Sequence, residues 1–299
     1  MSALQGVFSV LPTPFLPDDT LDLDSLRRVI DLFIQCGVNG LTALGVTSEV
    51  ARLNERERKL VLETVVKHVN GRVPVVVGAT AEGTNTCLDY SLDAKQAGAA
   101  AVMISPPRMA KLNSDAVVRH FAAVAKTVNI EIVVQDFPPI SGFNMEPALL
   151  ARIAREIPQA RTIKLEDPPT PFKTSRILEA TEGIEMKIFG GLGGVFLLEE
   201  LMAGAAGAMT GFAYPEILVD IVKAYRSGNL KTAADYFYSS VPLMRFEFQE
   251  GIGMAIRKEV LRRRGALTTA ITRSPGAKLD ATTVRALDEV MKWTGKQSE

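Results

Sequence analysis

Apolar residues along the first third of the chain alternate between two spacings. Leu26, Val29, Ile30, Phe33 and Ile34 recur as one face of a helix, with Asp22 or Asp24 as a cap before them and Gly37 as a stop after. A short apolar stretch at 41–44 follows, and then Asn54 with Glu57 three residues on, the pair that closes a capping box. The helix it opens is predicted to bury Leu62, Val65, Val66 and Val69. Residues 73–77 are a nearly continuous β-branched run, the pattern of a strand covered on both faces.

The alternation continues to the end of the second third. Strands are predicted at 8–11, 41–44, 73–77, 101–105, 132–136, 162–165, 187–189 and 206–210, each followed by an amphipathic segment. Eight such units in roughly 225 residues fit a closed parallel (β/α)8 TIM barrel. A doubly wound sheet would use fewer strands and place a glycine-rich fingerprint after its first, and none follows Leu11. Past Gly228 only helical patterns remain, at 233–248, 253–264 and 281–293. The chain therefore divides into a barrel at 1–228 and a C-terminal helical extension at 229–299, packed on it without a Pro/Ser-rich linker.

Composition narrows the partners. A chain of 299 residues that is 47% hydrophobic buries a large core, and 34 basic against 34 acidic residues leave no field to hold a nucleic acid or an anionic membrane. The predicted partner is a small molecule. Cys36 and Cys87 are too few for a disulfide framework. With no signal-like segment at 1–15 and no apolar run of the ~18 residues a span needs, the expected compartment is the cytoplasm.

In barrels of this kind the chemistry gathers at the C-terminal ends of the strands. Lys164 lies in such a strand among apolar neighbours. Withdrawing an ammonium from water favours the neutral amine, the form that attacks a carbonyl. Taken alone, the residue reads equally well as an exposed edge lysine or as an ion pair with Glu166.

Gly45–Val46–Thr47–Ser48–Glu49, Pro106–Pro107, Ile163–Lys164–Leu165–Glu166 and Pro12–Thr13–Pro14–Phe15 together resemble the dihydrodipicolinate synthase/N-acetylneuraminate lyase family, in the expected order from about Gly6 to beyond Gly211. The resemblance implies that Lys164 condenses with the C2 carbonyl of a 2-oxo acid to form a Schiff base, with no metal or organic cofactor. It further implies that the Val46–Thr47–Ser48 turn holds the substrate carboxylate, the lesser alternative being that Thr47 and Ser48 merely cap the turn. A homo-oligomer, a dimer or a tetramer of two tight dimers, is implied as well.

Departures from the family pattern are informative. Gln135 stands where the family carries a proton-relaying tyrosine, Ile140 where the synthases carry a carboxylate-binding arginine, and Val46 where a threonine is common. A glutamine amide neither gives nor takes a proton at neutral pH. Arg108–Met109 replaces the usual aromatic pair after the fourth strand, and Arg108 is a candidate for holding a substrate hydroxyl or carboxylate. The Val134–Gln135–Asp136 segment, Gly142 and the Gly207–Met209–Gly211 stretch resemble the branch of 2-keto-3-deoxy-L-arabonate dehydratase. On that reading Lys164, Gln135 and Thr47 do the chemistry, while Met209 and the Gly191 loop meet the substrate tail. An aldolase or synthase with another proton shuttle, and a catalytically silent 2-oxo-acid-binding barrel, are the alternatives.

Other signals carry less. His68 and His120 lie on predicted helices away from the mouth, which argues against a zinc site; Arg262–Arg263–Arg264 reads as a solvated helix end. Glycines at 190–194 lack the lysine of a phosphate loop and read better as room for backbone approach. Tyr236, Phe237 and Tyr238 read as core or subunit contact rather than a platform for bases.

Overall fold

The computed structural model describes residues 4–296, so the outermost residues of both predicted segments, 1–3 and 297–299, lie outside it. Among the described residues eight parallel strands close into a barrel in chain order. They are β1 Gly6–Val10, β2 Gly40–Ala43, β3 Val75–Gly78, β4 Ala101–Ile104, β5 Glu131–Asp136, β6 Thr162–Leu165, β7 Lys187–Gly190 and β8 Gly207–Thr210. Each predicted strand is present, shifted by at most two residues at an end.

Strand alternation sorts the apolar residues into two layers. Val7, Leu41, Val77, Val102, Ile163, Leu165 and Ile188 face the surrounding helices and join the main core. Phe8, Val76, Ala101, Met103, Val133, Phe189 and Met209 fill the barrel interior, where Phe8 and Phe189 meet edge-on at 5.6 Å. The middle of the interior is thus packed mainly with hydrocarbon; Gln135 and Lys164 lie above it toward the strands' C-terminal ends, and Thr162 and Glu131 hydrogen-bond below it at the strand starts.

Helix starts follow the predicted chemistry. Asp22, rather than Asp24, caps the first helix by accepting from Ser25 N at 2.9 Å. Asn54 and Glu57 exchange both bonds of a capping box, each at 3.0 Å. The helices Leu230–Glu247, Gly253–Arg263 and Ala281–Trp293 pack against one another and, through the first, against helix Pro215–Arg226 of the barrel. No helix among the described residues is long and apolar enough to cross a membrane.

Candidate active site

Register sets the centre of the mouth. Lys164 on β6 pairs with Gln135 on β5 at one side and with Phe189 on β7 at the other, and all three point inward by strand parity. The lysine is 3% exposed, so it is neither an edge residue nor a solvated one. Its Nζ lies 3.1 Å from Glu166 Oε2. The same carboxylate oxygen accepts from Gln135 Nε2 at 2.7 Å, while Gln135 Oε1 accepts from the Ser105 hydroxyl at 3.2 Å. These two partners fix the orientation of the amide, since only its NH2 can donate to a carboxylate. Ser105 N in turn donates to Thr80 Oγ1 at 2.9 Å. A lysine amine, a glutamate carboxyl group and a glutamine amide therefore share one buried cluster.

Close approach at this cluster depends on Gly191. A Cβ there would run into Glu166 Cγ and stand 3.1 Å from Lys164 Cε. The loop that carries it is tied to β8 by the Thr210 hydroxyl, which donates to Gly191 O and accepts from Gly193 N, both at 2.9 Å. This arrangement agrees with glycines that admit neighbouring groups.

Two cavities open at the mouth. One of about 290 Å³ is lined by Val46, Gln135, Ile140, Tyr90 and Arg58. The other, of about 510 Å³, is lined by Thr47, Glu166, Pro168, Phe248 and Arg257. The Thr47 hydroxyl is buried and makes no hydrogen bond within the protein, so it is available to a ligand. A third cavity of about 350 Å³, between Glu131, Arg161 and Lys187, lies at the strand starts on the opposite face, which in this architecture serves stability.

Three expected contacts need correction. The Ser48 hydroxyl does not face a substrate: it donates to Leu11 O at 2.6 Å and accepts from Gly45 N at 3.1 Å, closing the turn. Met209 belongs to the apolar interior layer, 0% exposed, because the inward position at the mouth on that strand is two residues on, at Gly211. Arg108 is exposed on the loop after β4 and lines neither mouth cavity.

A group of buried charges behind the mouth was not legible in the sequence. Glu49, in left-handed backbone with φ 57°, is buried and ion-paired to Lys258 of helix Gly253–Arg263; it also accepts from Arg52 at 2.5 Å and from Arg273 N at 3.0 Å. Burial pushes the Lys258 amine down to about 8 against the pull of Glu49, and the Phe15 ring lies 4.5 Å from its nitrogen. Thr13 Oγ1 donates to Ser48 O at 2.5 Å. The Pro12–Phe15 motif and the C-terminal helices thus brace the 46–49 turn from both sides. At the end of β5, Asp136 pairs with Lys173 at 2.6 Å, and burial raises its carboxyl to about 6.

A buried lysine and carboxylate at the C-terminal mouth of a parallel barrel define a site of the lyase kind. The chain belongs to the dihydrodipicolinate synthetase family, which matches it over residues 3–293. It is 34% identical over 304 residues to L-2-keto-3-deoxyarabonate dehydratase of Azospirillum brasilense, covering 97% of this chain and 96% of that protein. The crystal structure of dihydrodipicolinate synthase from Rhodopseudomonas palustris superposes with a TM-score of 0.92 at 31% identity, covering 98% of both chains. That of YagE from E. coli K12, solved in complex with pyruvate, also gives 0.92, at 25% identity and 98% and 99% coverage.

Proposed function

We propose that this protein is a Schiff-base lyase that dehydrates a 2-keto-3-deoxy sugar acid. The observation that carries the reading is the Glu166 carboxylate oxygen held between Lys164 Nζ and Gln135 Nε2. The Lys164 amine attacks the C2 ketone, water leaves, and the resulting iminium draws electrons from C3. Glu166 removes a C3 proton to give the enamine. The enamine then expels the C4 hydroxyl, which takes its proton from the Glu166 carboxyl, and leaves an unsaturated iminium that water hydrolyses from Lys164. One carboxylate thus moves both protons, and Gln135 holds it in place without entering the transfer. The substrate carboxylate sits at the 46–47 turn beside the free Thr47 hydroxyl. Because the iminium is the electron sink, the reaction calls for no metal or organic cofactor, and turnover is expected to survive chelators.

Likeness to the arabonate dehydratase supports this reading over a synthase. Ile140 presents hydrocarbon to the smaller cavity, where the resemblance to the synthases would place an arginine for a second carboxylate. Borohydride reduction with a panel of 2-oxo acids, followed by mass mapping, tests the assignment. An adduct on Lys164 that is lost in Lys164→Ala, together with a product of unbroken carbon chain, is the expected result. Release of pyruvate from the natural substrate would favour an aldolase, and the absence of any adduct would leave a silent binding barrel.

A further inference from the structure

Arg257 comes from helix Gly253–Arg263, outside the barrel strands, yet it lines the larger mouth cavity together with Glu166 and Thr47. It is 4% exposed. One edge of its guanidinium is used: Nε binds Glu247 Oε1 at 2.6 Å, and that carboxylate also accepts from Ala213 N at 3.1 and 3.2 Å. The other edge is not. Nη1 is buried, makes no hydrogen bond within the protein, and lies over Gly211 at the end of β8, where a Cβ would collide with it. A buried guanidinium donor without a partner is a group built to receive one.

Resting on the Schiff-base reading, we infer that Arg257 Nη1 binds the hydroxylated tail of the substrate, and that Glu247 neutralises it so that an acid with one carboxylate is taken in preference to a diacid. The direction follows from the cavity, which runs from Glu166, two residues beyond the reactive amine, to Arg257. The selectivity follows from charge. Arg257 is the one cation among the residues lining this cavity, against Glu166, Glu247 and Glu250. A second carboxylate would enter a region already carrying more negative than positive charge, whereas a hydroxyl accepts the N–H without adding any.

Two altered proteins isolate the contact. Gly211→Ala places a methyl where Nη1 lies, in backbone an alanine adopts, so the guanidinium must leave that position while both charges of the Arg257–Glu247 pair remain in the protein. Arg257→Met combined with Glu247→Gln removes donor and counter-charge together, so no buried charge is stranded. The readout is borohydride trapping of pyruvate on Lys164, and protection against that trapping by 2-keto-3-deoxy-L-arabonate, by 4-hydroxy-2-oxopentanoate, which lacks the terminal hydroxyl, and by 2-oxoglutarate. In the native protein the dihydroxy acid should protect best. In both altered proteins pyruvate should trap within about twofold of the native rate, while protection by the dihydroxy acid weakens about tenfold to a hundredfold, the range for one hydrogen bond to a charged group, and falls to the level of 4-hydroxy-2-oxopentanoate. Unchanged protection overturns the assignment. So does an equal loss of pyruvate trapping, which would put Arg257 on the carboxylate beside the ketone, and so does tighter native binding of 2-oxoglutarate. If the native protein traps no 2-oxo acid at all, the Schiff-base reading itself has failed, and this inference with it.

Discussion

Replacing Glu166 with glutamine separates the two jobs assigned to the cluster. The substitution keeps the volume of the side chain and an oxygen able to accept from Gln135 Nε2, now 2.7 Å away, but removes the group that carries protons beside Lys164 Nζ at 3.1 Å. A positioned general base contributes about 10²–10⁴-fold, or about 3–5 kcal/mol of barrier at 1.36 kcal/mol per tenfold. Capture of the ketone by the amine does not need that base, whereas loss of a C3 proton does. Pyruvate reports both steps without any dehydration: borohydride trapping measures capture, and exchange of its methyl protons with D2O, followed by proton NMR, measures C3 ionisation. In Glu166→Gln, trapping should stay within a few-fold of native and exchange should slow 10²–10⁴-fold. Native exchange with an intact adduct would mean that another group takes the proton, and the proposed division of labour would be refuted.

Three further outcomes are expected. Gly191→Ala should displace Glu166, lowering kcat about 10²-fold with an unchanged circular dichroism spectrum, since an ångström of misplacement at the reacting centre costs that much. Lys258→Met leaves the buried Glu49 carboxylate to Arg52 and Arg273 N alone and should destabilise the fold by about 1.5–3 kcal/mol in urea titration. Burial raises the Glu200 carboxyl from 4.5 to about 7, even though it accepts from the Thr170 hydroxyl at 2.6 Å. Below pH 4.5 the group is protonated in folded and unfolded chains alike. As pH rises toward 7 the unfolded chain releases the proton first, so folding loses stability, on the order of 3 kcal/mol in all, and the loss is complete above 7. Glu200→Gln should therefore stabilise the protein at pH 8 and change little at pH 4, as read by thermal melts at the two values.

Short-range pattern was enough for the barrel, because each strand is a β-branched or apolar run bounded by polar turns. Its ends were harder to place. The run at 73–77 contains Pro74, which has no N–H for the ladder, and the strand starts after it and extends to Gly78, a residue without hydrophobic signal. Lys164 stood out because a charge in an apolar strand demands an explanation. Gln135 was visible as a departure, but its hydrogen bond to Glu166 was not, since that pairing is fixed by barrel register. Met209 was expected one layer too high, as motif likeness does not carry strand parity. Arg257 and Glu247 sit on helices outside the strands, where no local pattern ties either residue to the barrel mouth. Glu49 and Lys258 meet across more than two hundred positions of chain, where no periodicity connects them.

The brace behind the 46–49 turn has a bearing on how such a protein diversifies. Because Lys258 and Arg273 reach back to Glu49 from the far end of the polypeptide, the mouth and the last helices form one heritable unit. Exchange of that terminal stretch between relatives must bring matching partners along, or it disturbs the 46–49 turn while leaving every residue beside Lys164 untouched. New specificities can therefore arise from mutations far downstream of the strands that carry the reactive groups.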